Sequence, residues 1–476
     1  MTDVAVVGAG PNGLAAAVTL ARAGLRVRVY ERAATAGGGS RTAELTLPGF
    51  RHDVCSAVHP MAVASPFFRA FGLTGRVPFV TPEVSFAHPL PDGRSGIAYR
   101  DLERTADGLG RDARLYRALV RPLASHAAEV AEVTLAPLLA VPRHPVLLAR
   151  FGIRSFVEGR GARFRDEVAP ALLTGAAAHA IVRQPSLAGA GAGLMLTAHA
   201  HAGGWPVPVG GSQAIVDALV ADLVAHGGEV VTGHEVTSLD ELDATAIVLD
   251  VTPRAFVRLA GARMPARARR RYERFRYGPG IAKLDLALSA PVPWRDPELA
   301  RAGTVHLGGT RAQIARAEDA VLRGRHAERP FTIVAQPSLF DASRAPGDAH
   351  TLWAYAHMPS GSDRDPTETI LTALEEHAPG IRDVVIAHHA RSAAQVATEN
   401  PNYVGGDIAA GAATLGQLFA RPVASPAPWR TPLPGVYLCG ASTAPGPGVH
   451  GQSGWLAARC ALRDVFGIRT APELGT

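Results

Sequence analysis

Three glycines, Gly8, Gly10 and Gly13, stand in the spacing G-x-G-x-x-G directly behind the short apolar run 3–8 (DVAVVG). Gly8 permits a tight turn, Gly10 lets the backbone approach a pyrophosphate, and Gly13 lets a helix pack closely on a sheet. With Pro11 and Asn12 between them, these residues open a helix whose free N–H groups and positive end suit phosphate. Glu31 ends the next strand, where a carboxylate takes hydrogen bonds from ribose hydroxyls. Strand, turn, helix and placed acid together predict a dinucleotide site.

A second glycine turn follows the acid: Arg32, then GGGSRT over 37–42 with Gly38, Gly39 and Arg41. NAD has no use for a second turn there. FAD does, because its pyrophosphate and ribityl chain continue past the adenosine. A third element is 435–451 (GVYLCGASTAPGPGVHG), a strand and loop that open a last helix. Gly446, Gly448 and Gly451 repeat G-x-G-x-x-G as text, but too little chain follows for a second strand and acid. The helix start there is suited instead to stabilising negative charge on a reduced isoalloxazine ring.

Flavin carries hydride chemistry itself, so few acid–base side chains are needed. His450, in the third glycine turn, and His59, in SAVHP, are the candidates for a catalytic role, each with a structural role as the alternative. His199, His201 and Trp205 read as structural. His388 and His389 are adjacent without further partners, so no metal site is expected. No G-x-S-x-G elbow points to a hydrolase.

These residues need elements to position them. Helices are expected over 13–23, 212–226, 367–377 and 454–465, and strands over 26–30, 229–231, 246–251 and 435–440. Residues 101–183 read as Ala-rich helices divided by Pro122, Pro137, Pro142 and Pro170. Short runs between 283 and 356 (KLDLAL, FTIVAQ, TLWAYAH) read as an antiparallel sheet facing that helical region. The expected fold is α/β: an FAD-binding domain from 1–75, 205–262 and 427–476, and a substrate domain from 76–204 and 263–426.

The chain has 476 residues, 47% hydrophobic and 19% charged, which is globular and long enough for two or three domains. A net charge of +6 is mild at this length. No Arg/Lys cluster interleaved with aromatics suggests nucleic acid, and 267–276 reads as an exposed basic helix face. Three cysteines without a CxxC argue for a reducing compartment and remove the redox-active disulfide of dithiol flavin reductases. No signal peptide or spanning helix is expected, so a cytoplasmic place is. The apolar segment 133–151, broken by three prolines, reads as a buried lid or as a peripheral membrane contact.

ERAATAGGGSRT…PGFRHDVCSAVHP, GGWPVPVGG, NYVGGDI, FARPV and LCGASTAPGPGVHG resemble the phytoene desaturase group of flavin oxidoreductases, in the branch called pyridine nucleotide-disulfide oxidoreductase domain-containing protein 2. The resemblance covers nearly the whole chain. It implies a glutathione-reductase-type Rossmann domain with an inserted α+β substrate domain of antiparallel sheet and helical lid. It implies FAD contacts at Gly8, Gly10, Gly13, Glu31, Arg32, Gly38 and Arg41, and at Val236 through its backbone. It places Gly440, Gly448 and Val449 along the ribityl chain and ring. GGGS stands at 37–40 where carotene desaturases commonly have GGRA. The activity implied is a dehydrogenase or desaturase taking hydride from a small, apolar, isoprenoid-like substrate, with O2 or a quinone as acceptor. A flavin amine oxidase, a redox-neutral flavin isomerase and a non-catalytic FAD-stabilised interaction protein are the alternatives.

Overall fold

The computed structural model describes residues 2–137 and 139–475. Its first sheet is parallel and five-stranded, in the order Val436–Leu438, Ala244–Leu249, Thr2–Val7, Val27–Tyr30, Glu229–Val231. Helices Pro11–Arg22, Gln213–Ala225 and Gln452–Phe466 cover one face around Val4, Val6, Leu14, Leu219 and Ala457. The other face buries Ala5, Val7 and Leu249 against Phe256 and Leu259 of helix Pro253–Ala260. Burial on both faces explains why the first strand is continuously apolar. Each fully buried Val or Leu here contributes ~1.5–3 kcal/mol relative to exposure.

Pro11 starts the first helix where its missing N–H costs nothing, and Gly24, at φ +84°, stands just past its end. The helix begins two residues earlier than its apolar periodicity suggests, because Pro11 and Asn12 already take helical geometry.

The second sheet has seven strands, in the order Val385–Arg391, Gly280–Leu288, His350–Met358, Thr332–Ala335, Ala302–Leu307, Val84–Pro89, Ser95–Tyr99. It extends well beyond the span 283–356. The hairpin 84–99 enters through a parallel pairing of Val84–Pro89 with Ala302–Leu307, and all other pairings are antiparallel. Val84–Pro89 is buried throughout, so it carries no amphipathic alternation to mark it as a strand. Helices between 102 and 202 form a layer on this sheet around Phe86, Leu119, Leu172 and Trp205.

Among its described residues the segment 133–151 is only partly buried, through Val133, Leu135 and Leu147. It spans the end of helix Ala127–Thr134 and the start of helix Pro145–Gly159, and Val141 and Val146 are 93% and 64% exposed. Leu138 lies outside the described residues. No helix among the described residues is long and apolar enough to cross a membrane.

Candidate dinucleotide and catalytic site

At the carboxyl end of the parallel sheet the first glycine turn closes on Asp250, the residue after strand Ala244–Leu249. Gly8 has φ +97°, which only a glycine takes without strain. A Cβ on Gly10 would stand 2.7 Å from Oδ2 of Asp250, so the missing side chain is a requirement of the turn. The Gly13 N–H donates to that same Oδ2 at 3.0 Å. Burial pushes the Asp250 carboxyl up to about 7, the Gly13 N–H opposes the shift, and neighbouring Glu31 adds to it. Sequence reasoning missed Asp250. Its only signal was an acid ending an otherwise apolar strand (AIVLD).

Glu31 is fastened to the turn. Its carboxylate accepts the N–H of Ala9 at 2.9 Å and that of Ala33 at 2.8 Å. Backbone bonds from Gly233 to Ala33 and from His234 to Glu31 bring the loop carrying buried Val236 alongside. Arg32 behaves otherwise than expected. It is exposed, and its guanidinium donates to the carbonyls of Thr398 and Glu399, capping the end of helix Ala393–Glu399.

The remaining glycine turns converge on the same place. The Gly37 N–H donates to the Ala9 carbonyl at 2.9 Å, and a Cβ on Gly38 would lie 3.2 Å from the Gly10 Cα. Arg41 donates through Nε to the Gly38 carbonyl at 3.0 Å. Gly39 abuts the Tyr403 hydroxyl, Gly440 abuts Asp250, and Gly454 lies on the Asn12 carbonyl. Among these turns Asn12 Oδ1, Ser40 Oγ, Thr443 Oγ1 and Ser453 Oγ are buried without a hydrogen-bond partner. Buried polar atoms are nearly always paired, so this cluster of orphans calls for a polar ligand. The donors, the close glycines and the ribose acid fit FAD. Gly448 is exposed, at φ +131°, while Val449 packs against the core of the parallel sheet.

A narrow cavity opens from Gly38 and Arg41 to the second sheet, where Cys55, Ile281, Lys283, Arg391 and Tyr403 line it. Lys283 is 1% exposed and pairs with Asp285, whose other oxygen lies 3.4 Å from Arg391. Burial brings the Lys283 ammonium down to about 8, with Asp285 opposing. Burial also pushes up the Cys55 thiol and the Tyr403 hydroxyl. All three cysteines are free. Lys283 and Asp285 were overlooked in KLDLAL, although two opposite charges at i and i+2 in an apolar run face the same side of a strand.

The two candidate histidines differ. The Gln452 N–H donates to His450 Nδ1 at 3.1 Å, so Nε2–H donates to the Gly446 carbonyl at 3.1 Å. Both nitrogens brace the turn, and burial lowers the ring to about 4. At His59 the Ser212 hydroxyl donates to the Ser56 carbonyl at 2.5 Å and accepts from Nε2 at 2.7 Å. Nδ1 of His59 is left buried, unprotonated and unpartnered. Burial lowers His59 to about 4 as well. His199 is buried, His201 accepts from or donates to Tyr116 at 2.6 Å, and Trp205 donates to the Leu196 carbonyl. No metal-ligating cluster exists among the described residues.

Residues 6–71 match the NAD(P)-binding Rossmann-like domain. Over 97% of its length the chain is 25% identical to pyridine nucleotide-disulfide oxidoreductase domain-containing protein 2 of Rattus norvegicus, covering 94% of that protein. It is 35% identical to one of the subunits of Limonene dehydrogenase from Castellaniella defragrans over 111 residues, 23% of this chain and 20% of the other. A solved triple mutant of Putrescine Oxidase shares the fold at a TM-score of 0.64 and 18% identity, over 98% of this chain and 99% of that one. The chain thus carries a NAD(P)-binding Rossmann-like domain, is homologous along nearly its whole length to pyridine nucleotide-disulfide oxidoreductase domain-containing protein 2, and has the α/β fold of the FAD-dependent oxidoreductases.

Proposed function

We propose that this chain is an FAD-dependent dehydrogenase or desaturase that takes hydride from an apolar substrate, with O2 or a quinone as final acceptor. The observation that carries the reading is the make-up of the inner cavity. Ile281, Ile333, Ala335 and Tyr355 form an apolar core beside it, and its charged wall holds Arg41, Lys283 and Arg391 against one carboxylate, Glu399, which pairs with Arg391 at 2.6 Å. Bound flavin supplies the hydride acceptor. The three cations supply positive potential to a cofactor that gains negative charge on reduction. Oxidation of a carbon–carbon bond releases a proton as well as a hydride. The Nζ of Lys283, which lines the cavity and has a lowered pKa, is the group placed to accept it, whereas the unpartnered Nδ1 of His59 is buried outside that lining. Similarity to a component of Limonene dehydrogenase, although limited to 111 residues, supports an isoprenoid-like substrate.

Amine oxidation, the activity named for Putrescine Oxidase, is the competing reading. An aromatic pair suited to an ammonium is present, Trp353 and Tyr355, with ring centroids 5.0 Å apart. Lys283 already stands over the Trp353 face, and an incoming ammonium would meet three cations and a single carboxylate, Glu399, already paired with Arg391. Anaerobic mixing of the FAD-loaded protein with terpene hydrocarbons and with alkylamines decides between them. Bleaching of the flavin band by a hydrocarbon is expected, whereas bleaching by amines alone overturns the proposal.

A further inference from the structure

A cleft of about 490 Å³ opens beside the inner cavity, between the start of helix Leu187–Ala202 and residues 412–415. Its walls are mainly apolar, with Val182, Leu187, Leu322 and Leu415 prominent. No carboxylate lines it, and its one charged residue, Arg183, pairs with Asp319 at 3.5 Å. The volume is that of a site for a small organic molecule.

The cleft and the inner cavity lie along one stretch of chain, the approach to strand Gly280–Leu288 and its first residues. Gly278 and Pro279 line the cleft, and Ile281 and Lys283 line the cavity. At ~3.3 Å per residue, Pro279 and Lys283 are separated by ~13 Å along the chain. Ile181 lines the cleft and packs in the buried cluster that holds Ile281 of the cavity wall.

Backbone strain marks the same place. Among the described residues only Ile181, at φ 46°, and Ala410, at φ 49°, are non-glycine residues in the left-handed region. A β-branched residue there is a genuine outlier, and such outliers collect at ligand clamps. Ile181 lines the cleft, and Ala410 leads into its wall at Ala412 and Ala413.

We propose that this cleft binds the hydrocarbon chain of an uncharged, isoprenoid-like substrate and is its way in to the inner cavity. The inference rests on the apolar-substrate reading above. Its test uses the FAD-loaded protein, Nile red as an uncharged fluorescent probe, and farnesene as competitor. Expected is one saturable probe site that farnesene empties. Ala188→Trp and Ala413→Trp, each filling the cleft from a different wall, should weaken probe binding at least tenfold. Ile153→Trp, on an exposed apolar helix away from the cleft, should not. Unchanged binding in both filled variants that melt like wild type, or equal loss in the Ile153 control, overturns the assignment. Flavin content is read separately by absorbance. A flavin-free protein that still binds Nile red in the cleft sinks the proposed activity alone, and a flavin-loaded protein with no saturable probe site sinks the cleft alone.

Discussion

The Nζ of Lys283 lies 5.5 Å from the centre of the Trp353 ring, while the same ammonium is paired with Asp285. A cation held this way keeps a fixed position on the cavity wall. Burial lowers its pKa to about 8, so the neutral amine, the form able to take a proton, grows in as pH rises through that value. Flavin reduction by substrate should therefore speed up with pH, with a midpoint near 8. Lys283→Met should flatten that profile and slow reduction by ~10²-fold, as loss of a general base does. Single-turnover stopped-flow across pH reads both; an unchanged profile in the variant removes Lys283 from proton transfer.

His450→Ala should cost stability rather than chemistry. The variant leaves the Gln452 N–H and the Gly446 carbonyl buried without their partner, a loss of ~1–3 kcal/mol. Thermal melting should shift down while the reduction rate per bound flavin stays at the wild-type value. His59→Ala should do the reverse if its free Nδ1 accepts the proton. Slow reduction in a fully loaded, stable His450→Ala protein would reinstate that residue as catalytic.

Asp250 predicts a pH-dependent grip on the cofactor. Its carboxyl holds a proton more tightly when folded than when unfolded, so its contribution to stability is fully present below about pH 4. That contribution is lost as pH rises toward about 7. An ionised Asp250 would also repel a pyrophosphate at Gly10. FAD should bind more weakly above pH 7 than below it, by on the order of tenfold for one screened like-charge contact. Asp250→Asn should bind FAD with little pH dependence, as followed by titration of apoprotein between about pH 5.5 and 8.5. A wild-type affinity that is flat over this range contradicts the account.

Glu31→Ala should weaken FAD binding by ~1.5–3 kcal/mol, the worth of charge-assisted hydrogen bonds. The loss has two sources, the ribose contact and the bonds from Ala9 and Ala33 that hold the turn. Glu31→Gln separates them, because an amide oxygen keeps one acceptor. Equilibrium titration should rank the affinities wild type, Gln, then Ala.

NADH and NADPH should reduce the flavin slowly or not at all. Among the described residues there is one parallel sheet, and its dinucleotide end is already committed to the first glycine turn. No CxxC offers a dithiol relay. Fast, saturable reduction by either nicotinamide in stopped-flow would count decisively against the prediction.

The dinucleotide half was legible because its signals are local. Gly8 to Gly13, the strands beside them and Glu31 lie within one stretch, and each residue type follows from what a tight turn on a phosphate requires. The cavity was not legible for the opposite reason. All nine residues of Gly280–Leu288 are buried, so the alternation of Lys283 and Asp285 with leucines, which reads as a strand of an antiparallel sheet, does not reveal that its polar side faces an enclosed space. Strand Val84–Pro89 was invisible because a strand buried on both faces has no period to read. The sequence of the glycine turn marks His450 by chemical type, whereas the two backbone groups that engage its ring are brought there only by the fold.

The parallel sheet draws its strands from residues 2–30, 229–249 and 436–438, and Gly454 closes on Asn12 near the opposite end of the chain. On the ribosome, the first turn and Glu31 emerge well before the strand Val436–Leu438 and the helix Gln452–Phe466 that complete their surroundings. The cofactor pocket therefore cannot close until those two elements have been made. A chain stopped before them displays glycine turns with nothing to close them. Cofactor retention thus reports translation through that helix, which a tag on the amino terminus does not.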